Sequence, residues 1–334
     1  MKKELNYLIA KNTYPYKNLA IEEYLTNNVK HGTVTLFLWQ NRNTVVIGRN
    51  QDCRRECRVN ELEQDGGFLV RRLSGGGAVY HDMGNLNFTF CACNEDYNLY
   101  MQLNTIIEAC RSLGINAERT GRNDITCEGR KFSGNAFYRT GNKRYHHGTL
   151  MISTSLDDMD RYLNVNRDKL VCKGISSVKS RVVNLEEFRS DLSISIMTKS
   201  LIHAFSKIYG LEAAEIYEAD LPAQTIAENQ KRFENKEWNY GVEMPFEYAV
   251  HERYSWGDAL IRFHINDGIV SDVNFASDAM DEKAISEICN VMRGIPFNAQ
   301  ALLEAIHSTK RAPQSMINDI SALIDKEFSA YEGI

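Results

Sequence analysis

The chain lacks the marks of a membrane, nucleic-acid or structural-metal protein. No apolar run approaches a membrane span, and in the N-terminal stretch Glu4, Asn6 and Lys11 interrupt any signal-peptide core, so a cytoplasmic protein without membrane attachment is expected. There is no basic excess: the net charge is −5, with acidic and basic residues mixed along the chain, which argues against a nucleic-acid backbone as partner. The eight cysteines include no CxxC pair with a matching second half. They read as free thiols in a reducing compartment, and Cys53/Cys57 and Cys91/Cys93 do not suggest zinc. Neither GxGxxG nor GxxxxGK[ST] occurs, so a bound nucleotide is not held by a Rossmann fingerprint or a P-loop.

What is present is enough for a large core and two domains, at 334 residues and 43% hydrophobic. The pattern alternates strands and helices without repeats. Asn18 is expected to cap a helix over "LAIEEYLTNN", with Glu22 and Glu23 suiting its start. Thr33–Asn41 and Thr44–Asn50 read as a hairpin or neighbouring strands, and "LNFTFCAC" from Leu86 as a half-buried strand. Leu103, Ile106, Ile107, Cys110 and Leu113 follow a helical period. A charged stretch ending in Gly241 and Pro245 places a boundary near residue 245. Beyond it, strands through Ile261–Ile265 and Val273–Phe275 turn at Asn266-Asp267-Gly268, and two helices follow, one around Ile285–Met292 and one after Pro313. The reading is an α+β chain with a large domain over 1–245 and a small α+β domain over 246–334.

Two polar islands carry the chemistry. "RRLSGGGAVYHDMGN", from Arg71 to Asn85, sets two fork-shaped cations beside Gly75, Gly76 and Gly77, whose backbone can approach an anion closely. "GRNDITCEGRKFSGNAF", from Gly121 to Phe137, adds Asp124 as an acceptor and Lys131 as a point charge beside Ser133-Gly134. His81, His146 and His147 are candidates for shaping a pocket through hydrogen bonds rather than for direct proton transfer.

Together with "HHGTLM" (146–151) and "KGISSVKSRVVNL" (173–185), these islands resemble the lipoate-protein ligases of the A type, in order and approximate spacing over nearly the whole chain. The resemblance implies a large mixed-sheet catalytic domain of the biotin/lipoate ligase type with a small C-terminal accessory domain. It implies activation of lipoate, or octanoate, by ATP and Mg2+ to an acyl-adenylate with release of pyrophosphate. The acyl group then passes to a lysine on a lipoyl domain of a 2-oxoacid dehydrogenase acyltransferase subunit, or on a glycine-cleavage H or H-like protein. It assigns Lys131 as the catalytic residue and Arg72, Gly75, Gly76, Gly77, Ala78, Val79, Tyr80, Asn85, Asp124 and Lys131 to the adenylate, with Asp124 near the metal. It implies no all-protein metal cage. An apolar slot for the acyl tail is expected among Leu36, Trp39, Val46 and Leu73. The alternatives are an ATP-independent acyl transferase carrying a thioester on Cys172, or a non-catalytic lipoate-binding relative.

Overall fold

A computed structural model describes residues 3–121, 124–164, 181–241 and 244–329. The chain divides into two compact units: 1–47, 54–72 and 78–239 form the first, and 48–53, 73–77 and the chain from Tyr240 onward form the second. The larger unit is built on an eight-stranded mixed sheet, in the order β11 (Ala213–Glu215), β1 (Glu4–Ile9), β2 (Thr33–Trp39), β6 (Asn85–Cys93), β10 (Lys143–Met151), β9 (Arg130–Thr140), β8 (Asp124–Cys127) and β7 (Ala117–Thr120). β1 pairs in parallel with β11 and β2, and the remaining pairs are antiparallel.

One face of this sheet is the apolar core. Leu36, Leu38, Phe88, Phe90, Ile125 and Phe132 pack there with α2 (Leu99–Ser112) and α3 (Ile194–Tyr209). Strand alternation sends Phe37, Trp39, Asn87, Thr89 and His147 to the opposite face. That second face meets α1 (Pro15–Asn28), whose Glu22 accepts a hydrogen bond from Thr89. "LNFTFCAC" is therefore buried on both sides, not half-buried as its alternation suggested.

Two local expectations change. Asn18 does not cap α1, which begins at Pro15 with proline's fixed φ suited to a first turn; Asn18 lies inside the helix and is fully buried. The residues after Trp39 do not turn back into a hairpin: β3 (Thr44–Ile47) leaves for a separate three-stranded sheet between β4 (Phe68–Arg71) and β5 (Val79–His81). The outer edge of β4 is closed by side chains, a common protection of an unpaired edge. The Arg71 amide donates to Asn239 Oδ1 at 2.9 Å, and Trp238 Nε1 donates to the Arg71 carbonyl at 2.8 Å.

In the second unit β12 (Tyr248–Tyr254), β13 (Gly257–Asn266) and β14 (Ile269–Ala276) form an antiparallel meander. Asp267 and Gly268 take positive φ in its second turn, where glycine is the cheapest residue. Its core is completed by α4 (Glu282–Met292), α5 (Ala299–His307) and α6 (Gln314–Ser329). The sequence reading anticipated β13, β14, α4 and α6 but not β12 or α5. No helix among the described residues is long and apolar enough to cross a membrane.

Candidate active site

The second face of the large sheet collects buried polar groups. Register sets Trp39, Asn87 and Thr149 side by side on β2, β6 and β10, and Gly134 opposite Asp124 on β9 and β8. The Gly134 amide donates to Thr149 Oγ1 at 3.3 Å and joins the two groups into one row. Four strand spacings, about 19 Å, separate its ends.

Lys131 belongs to this face for a reason that residue counting conceals. Ile125 of β8 pairs with Ser133, but the next residue, Thr126, pairs with Lys131, leaving Phe132 as a bulged extra residue. Phe132 and Ser133 are both fully buried. Simple alternation would put Lys131 with Ser133 on the core side. The bulge puts it with Thr126 and Asp124 instead, and Lys131 Nζ lies 2.7 Å from Asp124 Oδ1. The side chain passes over Gly134, where an added Cβ would sit 3.0 Å from Nζ, so this glycine makes room for the lysine. Backbone bonds hold Lys131 in place: its amide donates to the Arg181 carbonyl at 2.8 Å, and the Val183 amide donates to its carbonyl at 2.9 Å.

At the other end Arg72 is 5% exposed, with its guanidinium donating to the Val46 carbonyl at 3.2 Å. Burial lowers it to about 10, against the opposing influence of the Tyr145 phenol and the Glu22 carboxylate; it is charged at neutral pH. His147 Nδ1 lies 2.8 Å from Glu22 Oε1, which also accepts from Thr89 Oγ1 at 2.6 Å. Trp39 Nε1 donates to Thr89 at 3.1 Å. A chain of hydrogen bonds thus links the aromatic end of the face to His147. His81 stands edge-on to Trp39, and burial, helped by Arg72 and His147, pushes it down to about 3, so it is neutral. Asn85 Nδ2 donates to Asn87 Oδ1 at 2.9 Å, while Asn85 Oδ1 and Asn87 Nδ2 are buried without a partner among the described residues. Groups left in that state favour a polar ligand at this face.

Other expected site residues fall elsewhere. Arg71 bonds the carbonyls of Trp238 and Asn239, so the two arginines do not act as a pair. His146 faces the core among Phe88, Phe90 and Phe137, bonded to Asn135 and Gln102, because its register partner is Phe90. Leu36 lies in the apolar core, on the opposite side of the sheet from Trp39, and Val46 is on β3; these do not form one slot. Tyr80 turns its ring to Tyr162, away from its strand neighbours Val79 and His81. Cys172 lies outside the described residues. Sequence reasoning passed over Glu22, Asn87, Thr89 and Thr149; the one signal was a carboxylate pair in an otherwise apolar stretch of α1.

The glycine loop belongs to the second unit and its members have different reasons. A Cβ on Gly75 would stand 2.4 Å from the Ala279 carbonyl oxygen, whereas Gly76 has φ 92° and donates its amide to that same oxygen. Beside Gly77 a Cβ would meet nothing within 4 Å. Gly75→Ala is accordingly expected to lower the melting temperature, at a cost of about 1–3 kcal/mol for overpacking, while Gly77→Ala leaves it unchanged. Equal melting curves for the two variants would refute this division.

Residues 14–206 match the lipoyl protein ligase A/B catalytic domain, and 243–324 match the bacterial lipoate protein ligase C-terminus. Among relatives, the lipoate-protein ligase A of Blochmanniella pennsylvanica is 36% identical over 308 residues, 90% of this chain and 91% of that protein. The chain belongs to the lipoate-protein ligase A family. The Psychrobacter cryohalolentis lipoate-protein ligase A is 33% identical over 329 residues, covering 95% and 97% of the two chains. Among solved structures, P. falciparum LipL1 in complex with lipoate matches with a TM-score of 0.84 at 25% identity, over 96% of this chain and 99% of that one. A bipartite lipoate protein ligase from Thermoplasma acidophilum, described with its E2 lipoyl domain, matches with a TM-score of 0.63 at 26% identity, over 73% and 98%.

Proposed function

We propose that the chain joins lipoate to ATP, forming lipoyl-AMP and pyrophosphate, and then transfers the lipoyl group to the ε-amino group of a lysine on a lipoyl domain or a glycine-cleavage H or H-like protein. The observation that carries this reading is the bulge that sets Lys131 beside Asp124 on the polar face of the sheet, in a chain of this family. A carboxylate attacking the α-phosphorus brings two anions together. Lys131 supplies the cation where that charge develops, and again at the acyl carbonyl oxygen when the acceptor amine attacks. The acceptor nitrogen forms the amide, AMP leaves with the electron pair of the broken C–O bond, and the amine's proton is released.

Lys131 and Asp124 mark the phosphate end of such a ligand, four strands from Trp39, while Arg72, buried and charged, and the amide groups of Asn85 and Asn87 lie toward the opposite end of the row. The Trp39 end suits the acyl tail. Mg2+ would arrive with ATP, and the half-exposed Asp124 carboxylate fits it as one oxygen ligand among phosphate oxygens. Relatives are consistent with these ligands: one structural neighbour is a complex with lipoate, and another, at 24% identity, is a lipoate-protein ligase A bound with ATP. The neighbour described with an E2 lipoyl domain supports that class of acceptor.

The test is pyrophosphate release from ATP and Mg2+ on adding lipoate, without an acceptor and then with a lipoyl domain. Release dependent on lipoate is expected. Acyl transfer from an acyl carrier without ATP would overturn the adenylate step.

A further inference from the structure

Glycine inside a strand weakens it and answers a local demand, such as a bulge, a positive φ or a close approach. Gly134 lies within β9, opposite Asp124 of β8, and its amide donates to Thr149 Oγ1 of β10. It does not take a positive φ, so its backbone suits any L-residue. The extra residue of the nearby bulge is Phe132. Close approach is what remains. Within 4 Å of the place a Cβ would take, the described residues put only Lys131, with Nζ at 3.0 Å and Cε at 3.2 Å. Both are inside ordinary van der Waals contact, about 3.5–4.0 Å. Gly148 of β10 is glycine for a different reason: a Cβ there would stand 2.6 Å from the Gly134 carbonyl oxygen and 2.6 Å from the Phe88 ring. Gly148 serves the packing of strands and core, whereas the space above Gly134 is taken by the lysine alone.

We propose that Gly134 is a positioning residue for Lys131, the floor of a seat in which the ammonium stands 2.7 Å from Asp124 Oδ1. Register explains why the floor falls at this residue. Lys131 pairs with Thr126, two residues along β8 from Asp124, so its stem must run along β9 and across position 134 to reach the carboxylate. A methyl group on that path would leave the fold unstrained, because it meets only the flexible end of a half-exposed side chain, which can swing away. The ammonium would move instead, and a displacement of about 1 Å at a reacting site can cost about a hundredfold. That this position governs adenylate formation rests on the acyl-adenylate reading; the seat itself does not.

Gly134→Ala is the test. Its melting temperature is expected to equal or exceed that of the wild type, since alanine loses less chain entropy in a strand. Over the same comparison kcat for lipoate-dependent pyrophosphate release is expected to fall about ten- to a hundredfold. In the Lys131→Ala background the substitution is expected to leave the residual rate unchanged, because no ammonium remains to be displaced. A lowered melting temperature, an unchanged kcat, or an equal fall with and without Lys131 would each overturn the proposal. So would a rise confined to KM for ATP or lipoate, which would assign position 134 to binding. The seat can also be read without turnover, on the full chain labelled with 13C at lysine Cε. A nuclear Overhauser effect is expected between the Lys131 ε protons, assigned by their loss in Lys131→Ala, and the Gly134 α protons; its absence would overturn the seat. If the wild type releases no pyrophosphate, the adenylate reading fails while this measurement still decides where the lysine stands.

Discussion

Lys131→Ala is expected to cut lipoate-dependent pyrophosphate release by about 10²–10³-fold, as for removal of a main charge-stabilising donor from an enzyme site. The fold should be little affected. The Lys131–Asp124 pair is partly exposed, and such pairs contribute little. The bonds that anchor this part of β9 to Arg181 and Val183 are backbone bonds that alanine also makes. Unchanged melting with lost release would place the effect on the reaction, and normal release in the variant would overturn the assignment of Lys131. Lys131→Arg should not restore full activity, because a planar guanidinium cannot place its charge where a compact ammonium sits over Gly134.

Acid is expected to unfold the larger unit well before its carboxylates are fully protonated. Burial pushes both His81 and His146 down to about 3, from the ordinary 6.5 they regain when unfolded. Between those two values the unfolded chain binds protons that the native chain refuses. Their contribution is therefore complete above pH 6.5 and is lost as the pH falls toward about 3, at about 1.4 kcal/mol per pH unit for each histidine. Two such groups would consume about 7 kcal/mol by pH 4, comparable with the whole stability of an ordinary domain. The fluorescence of Trp39, which sits against His81, should report a transition between pH 4 and pH 5. Replacing His146 by glutamine should move that transition to lower pH, and native fluorescence persisting at pH 3.5 would contradict the account.

The candidate residues were legible because their motifs are contiguous: Arg72, the glycines, Asp124 and Lys131 stand out by residue type. What was not legible depends on pairing. Lys131, Ser133 and Asn135 have the same parity, and only the register slip at Phe132 separates the lysine from the others. The expected slot failed for the same reason, since Leu36 and Trp39 differ in parity and a strand sends them to opposite faces. Glu22 and Asn18 looked like a helix start because polar residues favour one. Pro15 begins the helix earlier, and both side chains point inward to buried partners. The missing α5 and β12 are short and weakly patterned, and their apolar residues gain meaning only from the core they share with β13 and α6.

The composition of the second unit bears on how such a chain can be divided by gene rearrangement. Its tail is hydrogen-bonded to pieces from the first quarter of the chain: the Ser277 amide donates to the Asn50 carbonyl, Gly76 to Ala279, and Arg262 pairs with Asp52. A cut near Pro245 looks clean on a linear map, yet it severs one folding unit from two of its own loops. A gene split at that point would leave residues 48–53 and 73–77 on the first product and the remainder of the second unit on the other, so the unit would form only where the two products reassemble around those loops.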